Sequence, residues 1–124
     1  DIIESGDTGS STLSGGAGND VLRGTEAADI LNGGDNNDVL VGRGGDDVLN
    51  GGNHQNLYLP GAGADTVNGG SGLDIVFFEG DRNNYGTTGC SKTICIITQT
   101  DKPDKTLQNV EILIFDDARL DLPD

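Results

Sequence analysis

Residues 15–23 have the sequence GGAGNDVLR, and related nonapeptides follow without an insertion as far as residue 77. A weaker version, GDTGSSTLS, precedes them at residues 6–14. We number the eight copies from the N-terminus and the nine positions within each copy. The copies after residue 23 are GTEAADILN from 24, GGDNNDVLV from 33, GRGGDDVLN from 42, GGNHQNLYL from 51, PGAGADTVN from 60 and GGSGLDIVF from 69. A period kept over so many copies predicts a stacked repeat structure.

Three positions of the repeat each hold one class of residue. The first position is Gly in seven of the eight copies, with Pro60 as the exception, and the eighth position is apolar in every copy. The sixth position is Asp in all copies except two, where Ser11 and Asn56 replace it. The aspartates of the sixth position are Asp20, Asp29, Asp38, Asp47, Asp65 and Asp74.

Each nonapeptide divides into two halves with different backbone preferences. The Gly-rich half can adopt positive φ and turn tightly, while the three residues after the sixth position are mostly apolar or β-branched and suit a short strand. Two nonapeptides therefore make one coil of a two-sided all-β roll, with the eighth-position side chains inside. Turns two copies apart then stack at about 4.8 Å, the spacing of strands in a sheet.

This stacking concentrates negative charge along the edges of the roll. Sixth-position side chains of the even copies line one edge, and those of the odd copies line the other. Carboxylates at that spacing repel each other in a poorly solvated cleft. A hard divalent cation that takes six to eight carboxylate and carbonyl oxygens would remove the repulsion, and calcium is the expected ion.

The pattern resembles the RTX, or haemolysin-type, calcium-binding repeat G-G-x-G-x-D-x-U-x, in which U is a large aliphatic residue. The resemblance covers residues 6–77 and implies a right-handed parallel β-roll. It also implies that each ion lies between the turns of copies i and i+2. The expected ligands are the sixth-position side chains of both turns, carbonyls of the second and fourth positions below, and carbonyls of the first and third positions above.

Carried onto this chain, the resemblance implies about three to five calcium ions. Each site is given by its two sixth-position residues and its four carbonyl donors. The sites with two aspartates are Asp20 and Asp38 with Gly16, Gly18, Gly33 and Asp35; Asp29 and Asp47 with Thr25, Ala27, Gly42 and Gly44; and Asp47 and Asp65 with Arg43, Gly45, Pro60 and Ala62. The sites with one aspartate, expected to be weaker, are Asp38 and Asn56 with Gly34, Asn36, Gly51 and Asn53, and Asn56 and Asp74 with Gly52, His54, Gly69 and Ser71.

The overall composition borders on that of disordered chains, with 33% hydrophobic residues and a formal net charge of −14. Without calcium, a flexible Gly-rich linker is therefore the favoured interpretation of the repeats. The negative charge argues against binding to nucleic acid or to an anionic membrane surface. No apolar run is long enough for a transmembrane helix and no signal peptide opens the chain. The missing initiator Met suggests a fragment of a larger protein or a processed one.

Residues 1–5 precede the repeats and are predicted to be an N-terminal lead-in. Within it, Ile2 and Ile3 either cap the first coil or belong to a linker. Residues 78–124 form a C-terminal flank that resembles the segment after the last repeat in RTX proteins, where the family places a type I secretion signal. The residues predict strands at 93–100 and 109–115 and a turn at 101–105. We expect an antiparallel cap that covers the open end of the roll.

The spacing of Cys90 and Cys95 suits a hairpin disulfide, with two free thiols as the alternative. A disulfide would indicate an oxidising, extracellular setting. A zinc site is not expected, because no second pair of ligands accompanies these cysteines. His54, the single histidine, is expected to be exposed to solvent.

No catalytic motif is found. The local Gly-x-Gly pairs lack the third Gly or the Lys of a nucleotide loop, and the Asp-rich run at 35–47 does not have EF-hand spacing. We therefore predict a non-catalytic module that folds on calcium outside a bacterial cell and supports type I secretion of a larger secreted or cell-surface protein. The alternative is a carbohydrate- or surface-binding module of an epimerase, adhesin or S-layer protein.

Overall fold

The computed structural model describes residues 1–80, 82–87 and 89–124. These residues contain short strands and one 3-10 helix at Arg82–Asn84. The strands are β1 Ile2–Glu4, β2 Thr12–Ala17, β3 Val21–Arg23, β4 Ile30–Asp35, β5 Val39–Val41, β6 Val48–Gly52, β7 Leu57–Leu59, β8 Thr66–Asn68, β9 Ile75–Phe77, β10 Ile94–Gln99, β11 Lys102–Gln108, β12 Ile112–Ile114 and β13 Arg119–Asp121.

The strands form two sheets that face each other across the core. One sheet has the order β1-β3-β5-β7-β9-β12-β13, and the other has the order β10-β11-β8-β6-β4-β2. Strands of the repeat pair in parallel with a shift of two copies, so that Val21 lies beside Val39 and Val39 beside Leu57. This register confirms the predicted parallel β-roll with two nonapeptides per coil.

The core is a double row of eighth-position side chains. From copy two onwards each of them is fully buried, whereas Leu13 of copy one is partly buried at the end of the roll. Burial of one such aliphatic side chain contributes about 1.5–3 kcal/mol. The buried set is Leu22, Leu31, Leu40, Leu49, Tyr58, Val67 and Val76.

The N-terminal residues belong to the roll. Ile2–Glu4 form β1, which pairs in parallel with β3 and places Ile3 beside Leu22. Ile3 packs against the core in the place that an eighth-position residue has in the repeats. Ile3 therefore caps the first coil, as one of the two predicted roles had it, whereas the side chain of Ile2 in the same strand is exposed.

The C-terminal flank continues the roll by one more coil. β11 pairs in parallel with β8, with Leu107 beside Val67, and β12 pairs in parallel with β9, with Leu113 beside Val76. The predicted antiparallel cap is therefore correct for the outer strands β10 and β13 but not for β11 and β12, which pair in parallel with the repeats and bury Leu107 and Leu113 on the same row.

The predicted boundaries in the flank are correct only in part. The strand predicted at 93–100 is confirmed as β10, whereas the strand predicted at 109–115 is limited to β12. The turn predicted at 101–105 is wrong beyond Asp101, since residues 102–105 lie in β11. Antiparallel pairing with β10, of Lys102 with Gln99 and of Lys105 with Ile97, keeps this polar stretch extended.

Antiparallel pairing closes the outside of the extra coil, through β10 on β11 and β13 on β12. Phe78, Tyr85 and Phe115 pack together there, with ring centroids 5.2–5.4 Å apart. A disulfide joins Cys90 to Cys95, as one of the two sequence alternatives predicted. None of the helical segments among the described residues has the length and apolar character needed to cross a membrane.

Candidate metal centre

The sixth-position side chains are tied together by a hydrogen-bond ladder along each edge. The main-chain N–H of each sixth-position residue donates to the Oδ1 atom of the sixth-position side chain two copies later. We call these contacts the sixth-position ladder. Its bonds are Asp20 to Asp38 at 2.9 Å, Asp38 to Asn56 at 2.9 Å, Asn56 to Asp74 at 3.1 Å, Ser11 to Asp29 at 2.7 Å, Asp29 to Asp47 at 2.8 Å and Asp47 to Asp65 at 2.9 Å.

The second carboxylate oxygen of several ladder residues has no partner. The Oδ2 atoms are buried and accept no hydrogen bond in four aspartates, which are Asp20, Asp38, Asp47 and Asp74. Buried polar atoms are nearly always paired, and a buried charge is costly unless a partner compensates it. These four buried oxygens therefore need a partner that the described protein atoms do not supply, and a bound cation would be such a partner.

The first-position glycines hold open the space beside these oxygens. A Cβ atom added to Gly15 would lie 2.7 Å from Asp20 Oδ2 and 2.6 Å from the carbonyl oxygen of Gly33. A Cβ atom added to Gly33 would meet Asp38 Oδ2 at 2.5 Å and the carbonyl oxygen of Gly51 at 2.8 Å. Thus a carboxylate oxygen of the lower turn and a first-position carbonyl oxygen of the upper turn lie close together beside a glycine, where a side chain would not fit, and both are oxygens that a hard cation can bind.

Carbonyls of the second and fourth positions face the turn above them. A Cβ added to Gly34 would overlap the carbonyl oxygen of Gly16, and one added to Gly63 would overlap that of Gly45. Because these turns touch through main-chain atoms, their carbonyls lie in the space between stacked turns. The structure thus brings together the ligand types expected for calcium, and the donor set fits that ion.

Burial raises the pKa of three of these carboxyls, which are Asp38, Asp47 and Asp74. The pKa of Asp47 rises to about 7 through burial, although its hydrogen bond from the Asp29 N–H opposes the shift. The pKa of Asp74 also rises to about 7 for the same main reason. Desolvation disfavours the charged form of an acid, so a bound cation and a proton are alternative ways to satisfy these groups.

The repeats match the model of a known protein family. The family model described as the RTX calcium-binding nonapeptide repeat, in four copies, matches residues 5–40, 23–57 and 61–84. The chain belongs to the RTX calcium-binding repeat family. It has no match among the curated proteins.

Among solved structures, the chain is similar to part of the crystal structure of the extracellular lipase LipA from Serratia marcescens. The sequence identity is 20% and the TM-score is 0.41. The similarity covers 80% of this chain but 14% of that one, so the RTX chain spans a small part of the lipase.

Two of the predicted turn pairs of the RTX roll contain a protein donor that the sequence pattern did not reveal. Asp29 Oδ2 accepts hydrogen bonds from the Thr25 N–H at 2.5 Å and from Thr25 Oγ1 at 3.0 Å. The Tyr58 hydroxyl donates to the Gly69 carbonyl at 3.2 Å and to Asp74 Oδ1 at 3.4 Å. These donors satisfy oxygens that a metal would otherwise bind in the Asp29–Asp47 and Asn56–Asp74 pairs.

Lys105 supplies a positive charge at the end of the odd edge. It precedes Thr106 and Leu107 as Asp65 precedes Thr66 and Val67, so it stands at the sixth position of the extra coil. Its Nζ atom lies 2.6 Å from Asp65 Oδ2 and 2.8 Å from the Gly63 carbonyl oxygen, and the pair is buried. The ammonium therefore contacts a sixth-position carboxylate and a fourth-position carbonyl, the ligand types expected for calcium.

Other predicted residues contribute main-chain atoms rather than side chains. His54 is exposed, as predicted, and its Nδ1 atom accepts a hydrogen bond from the Asn36 N–H at 3.3 Å. Among the described residues, no group of three or more His, Cys, Asp or Glu side chains is placed to hold a metal. An ion in this RTX roll would therefore be bound by two side chains together with carbonyls.

The raised pKa values predict that acid stabilises the metal-free roll. Asp47 and Asp74 have a pKa of about 7 when folded and an ordinary value of 3.8 when unfolded, so the folded state binds more protons between pH 4 and 7. Stability must then fall as pH rises through this window. We expect far-UV circular dichroism of resin-stripped protein to show more β structure at pH 5 than at pH 7.5.

Saturating calcium should weaken or reverse this trend, because calcium and protons compete for the same carboxylates. The Asp47→Asn variant is the matched comparison, and its β content without metal should depend less on pH than that of the parent. A β content of the metal-free parent that rises from pH 5 to pH 7.5 would contradict the expectation.

Proposed function

We propose that the chain is a non-catalytic calcium-binding module whose folding is coupled to calcium outside the cell. Residues 6–77 form the calcium-binding roll, residues 1–5 its lead-in and residues 78–124 its cap. The observation that supports this most directly is the set of four buried carboxylate oxygens without a hydrogen-bond partner. A module that needs metal to satisfy its interior gains folding free energy from binding it.

We assign the ions to stacked turns whose lower aspartate has an unpartnered Oδ2 atom. Within the repeats these pairs are Asp20–Asp38, Asp47–Asp65 and Asp38–Asn56, and the third is the weakest because Asn56 carries no charge. The Asp29–Asp47 pair binds an ion only if Thr25 releases Asp29. The Asn56–Asp74 pair is the poorest site, because the Tyr58 hydroxyl already donates to its Gly69 carbonyl.

The biological role follows from where calcium is abundant. Cytosolic calcium is too low to fill weak sites, so the repeats stay unfolded there and can pass through a type I exporter. Outside the cell the sites fill, the roll forms, and the folded module stabilises the larger secreted protein. The Cys90–Cys95 disulfide supports an oxidising destination.

A calcium titration followed by far-UV circular dichroism tests this proposal. We expect a cooperative coil-to-β transition between chelator and 10 mM calcium, with magnesium ineffective because it prefers a rigid octahedral site that keeps several waters. The Asp47→Asn variant should need roughly ten- to a hundred-fold more calcium. Asn preserves the ladder bond, as Asn56 shows with the Asp38 N–H at 2.9 Å, so the variant isolates the lost charge.

Asp7→Asn is the matched control, because Asp7 is exposed and outside every predicted site. The calcium concentration at the midpoint of its folding transition should equal that of the parent. A spectrum already rich in β structure in chelator, and indifferent to calcium, would mean that packing alone holds the repeats. That result would reject calcium-coupled folding and favour the glycan- or surface-binding alternative.

A further inference from the structure

We propose that Asp74, Glu111 and the main-chain carbonyl of Asn109 form an additional calcium site beyond the last repeat. The inference rests on the proposed calcium-binding function and extends it to a residue of the C-terminal flank. It assigns Glu111 the role that a sixth-position Asp has in the repeats.

The register of β12 places Glu111 at the sixth position of the extra coil. Ile112 lies beside Ile75, so Glu111 stands directly above Asp74. The Asp74 N–H donates to Glu111 Oε2 at 2.7 Å, which is the same contact that joins successive members of the sixth-position ladder. Glu111 therefore continues the ladder of the even edge outside the nonapeptides.

The oxygen that faces this junction has no protein partner. Asp74 is fully buried, and its Oδ2 atom accepts no hydrogen bond. A Cβ added to Gly69 would lie 2.8 Å from Asp74 Oδ2 and would overlap the carbonyl oxygen of Asn109. This is the same convergence of a lower carboxylate and an upper carbonyl that Gly15 and Gly33 show within the repeats.

The two edges of the roll end with opposite charges. On the odd edge the Lys105 ammonium is paired with Asp65. On the even edge Asp74 and Glu111 stack as two carboxylates, and no Lys or Arg of the described residues forms an ion pair with either of them. Lys92, whose backbone carbonyl approaches the junction, pairs instead with Asp124. At the end of the odd edge the Lys105 ammonium compensates the buried carboxylate, whereas the end of the even edge requires a bound cation for the same purpose.

The geometry also indicates that this site is weaker than those of the repeats. Leu107 and Leu113 stand at eighth positions of the extra coil but are six residues apart, whereas the eighth-position residues of successive copies are nine apart. The upper turn therefore offers fewer carbonyls, and more of the coordination falls to water. We expect the site to fill last in a calcium titration.

Counting bound ions tests the site. At the lowest calcium concentration that saturates the parent chain, isothermal titration calorimetry and native mass spectrometry should show one bound ion fewer for Glu111→Gln than for the parent. Gln keeps an oxygen for the Asp74 N–H, so the ladder bond can persist while the charge is lost. Glu79→Gln is the control at an exposed residue of the same flank, and its ion count should not change.

Terbium, which takes the place of calcium at oxygen sites, gives a local readout. The chain has no Trp and two Tyr, and the Tyr58 hydroxyl lies 3.4 Å from Asp74 Oδ1. Energy transfer from Tyr58 should therefore report on an ion at this end of the even edge. The emission excited through tyrosine should fall at least about twofold in Glu111→Gln and stay unchanged in Glu79→Gln.

The outcomes separate this inference from the proposed function. If the parent folds on calcium but Glu111→Gln retains both its ion count and its terbium emission, the additional site is wrong while the module function stands. If the parent neither binds calcium nor folds on it, both are wrong. Loss of one ion with an unchanged calcium-loaded circular dichroism spectrum supports the site.

Discussion

Replacing Lys105 with Met is expected to destabilise the calcium-loaded protein by about 3–5 kcal/mol, the usual cost of removing one partner from a buried ion pair. Asp65 would keep a buried Oδ2 atom without its ammonium, and the Gly63 carbonyl would lose a donor at 2.8 Å. Met preserves most of the aliphatic volume, so the effect reports the lost charge and hydrogen bonds. Urea unfolding followed by circular dichroism at saturating calcium measures it.

Two further variants make the Lys105 experiment decisive. Lys102→Met changes an exposed residue of the same strand and should shift stability by less than about 0.5 kcal/mol. The double variant Lys105→Met with Asp65→Asn should recover part of the loss, because no unpaired charge then remains in the interior. Equal stabilities of Lys105→Met and Lys102→Met would show that the ammonium does not serve as a structural cation.

The repeat region was predictable because each of its rules acts locally and recurs. Gly at the first position, Asp at the sixth and an aliphatic residue at the eighth fix the turn, the edge and the core in every copy. The period of nine also fixes the register, so that the pairing of Val21 with Val39 follows from counting alone. The ligand types followed from the same stacking.

The extra coil was harder to predict because an irregular segment separates it from the repeats. Its strands do carry the pattern, since Lys105-Thr106-Leu107 parallels Asp65-Thr66-Val67 and Glu111-Ile112-Leu113 parallels Asp74-Ile75-Val76. However, Lys and Glu replace the diagnostic Asp, and no Gly-rich turn precedes either strand. Only the pairing across about forty residues shows that these side chains stand at sixth positions.

The protein donors within the roll could not be foreseen for a different reason. Thr25 and Tyr58 occupy positions where the pattern expects Gly and an aliphatic residue, and the pattern does not say where a hydroxyl points. Tyr58 fills the core with its ring while its hydroxyl reaches the Gly69 carbonyl. Such a compensation depends on distances between neighbouring coils, which a linear pattern does not contain.

Together these features divide the turn pairs of the roll into two groups. Some pairs leave a buried oxygen without a donor from the chain, whereas others contain Thr25, Tyr58 or Lys105 as such a donor. Calcium dependence should therefore be uneven along the roll. The coil that holds Lys105 should require calcium least on its odd edge, because its cation is covalently part of the chain.

Gly61→Ala is expected to lower the free energy of unfolding by roughly 2–5 kcal/mol, more than Gly16→Ala. Gly61 has a φ of +83°, and an added Cβ would overlap the main-chain carbonyl oxygen of Arg43 in the turn below. Because that neighbour is backbone, it cannot move aside without separating the stacked turns. The Arg43 carbonyl is also a predicted ligand of the Asp47–Asp65 pair, so calcium affinity should fall together with stability.

Gly16→Ala separates the two causes of this effect. Gly16 stands at the same second position with a similar φ of +93°, but an added Cβ meets nothing within 4 Å. It should therefore cost only the penalty for positive φ, about 1–2 kcal/mol. Urea unfolding at saturating calcium and the calcium midpoint of each variant give the comparison. If both alanines cost the same, positive φ alone explains the glycines, and close approach of the turns adds nothing to the requirement for Gly at this position.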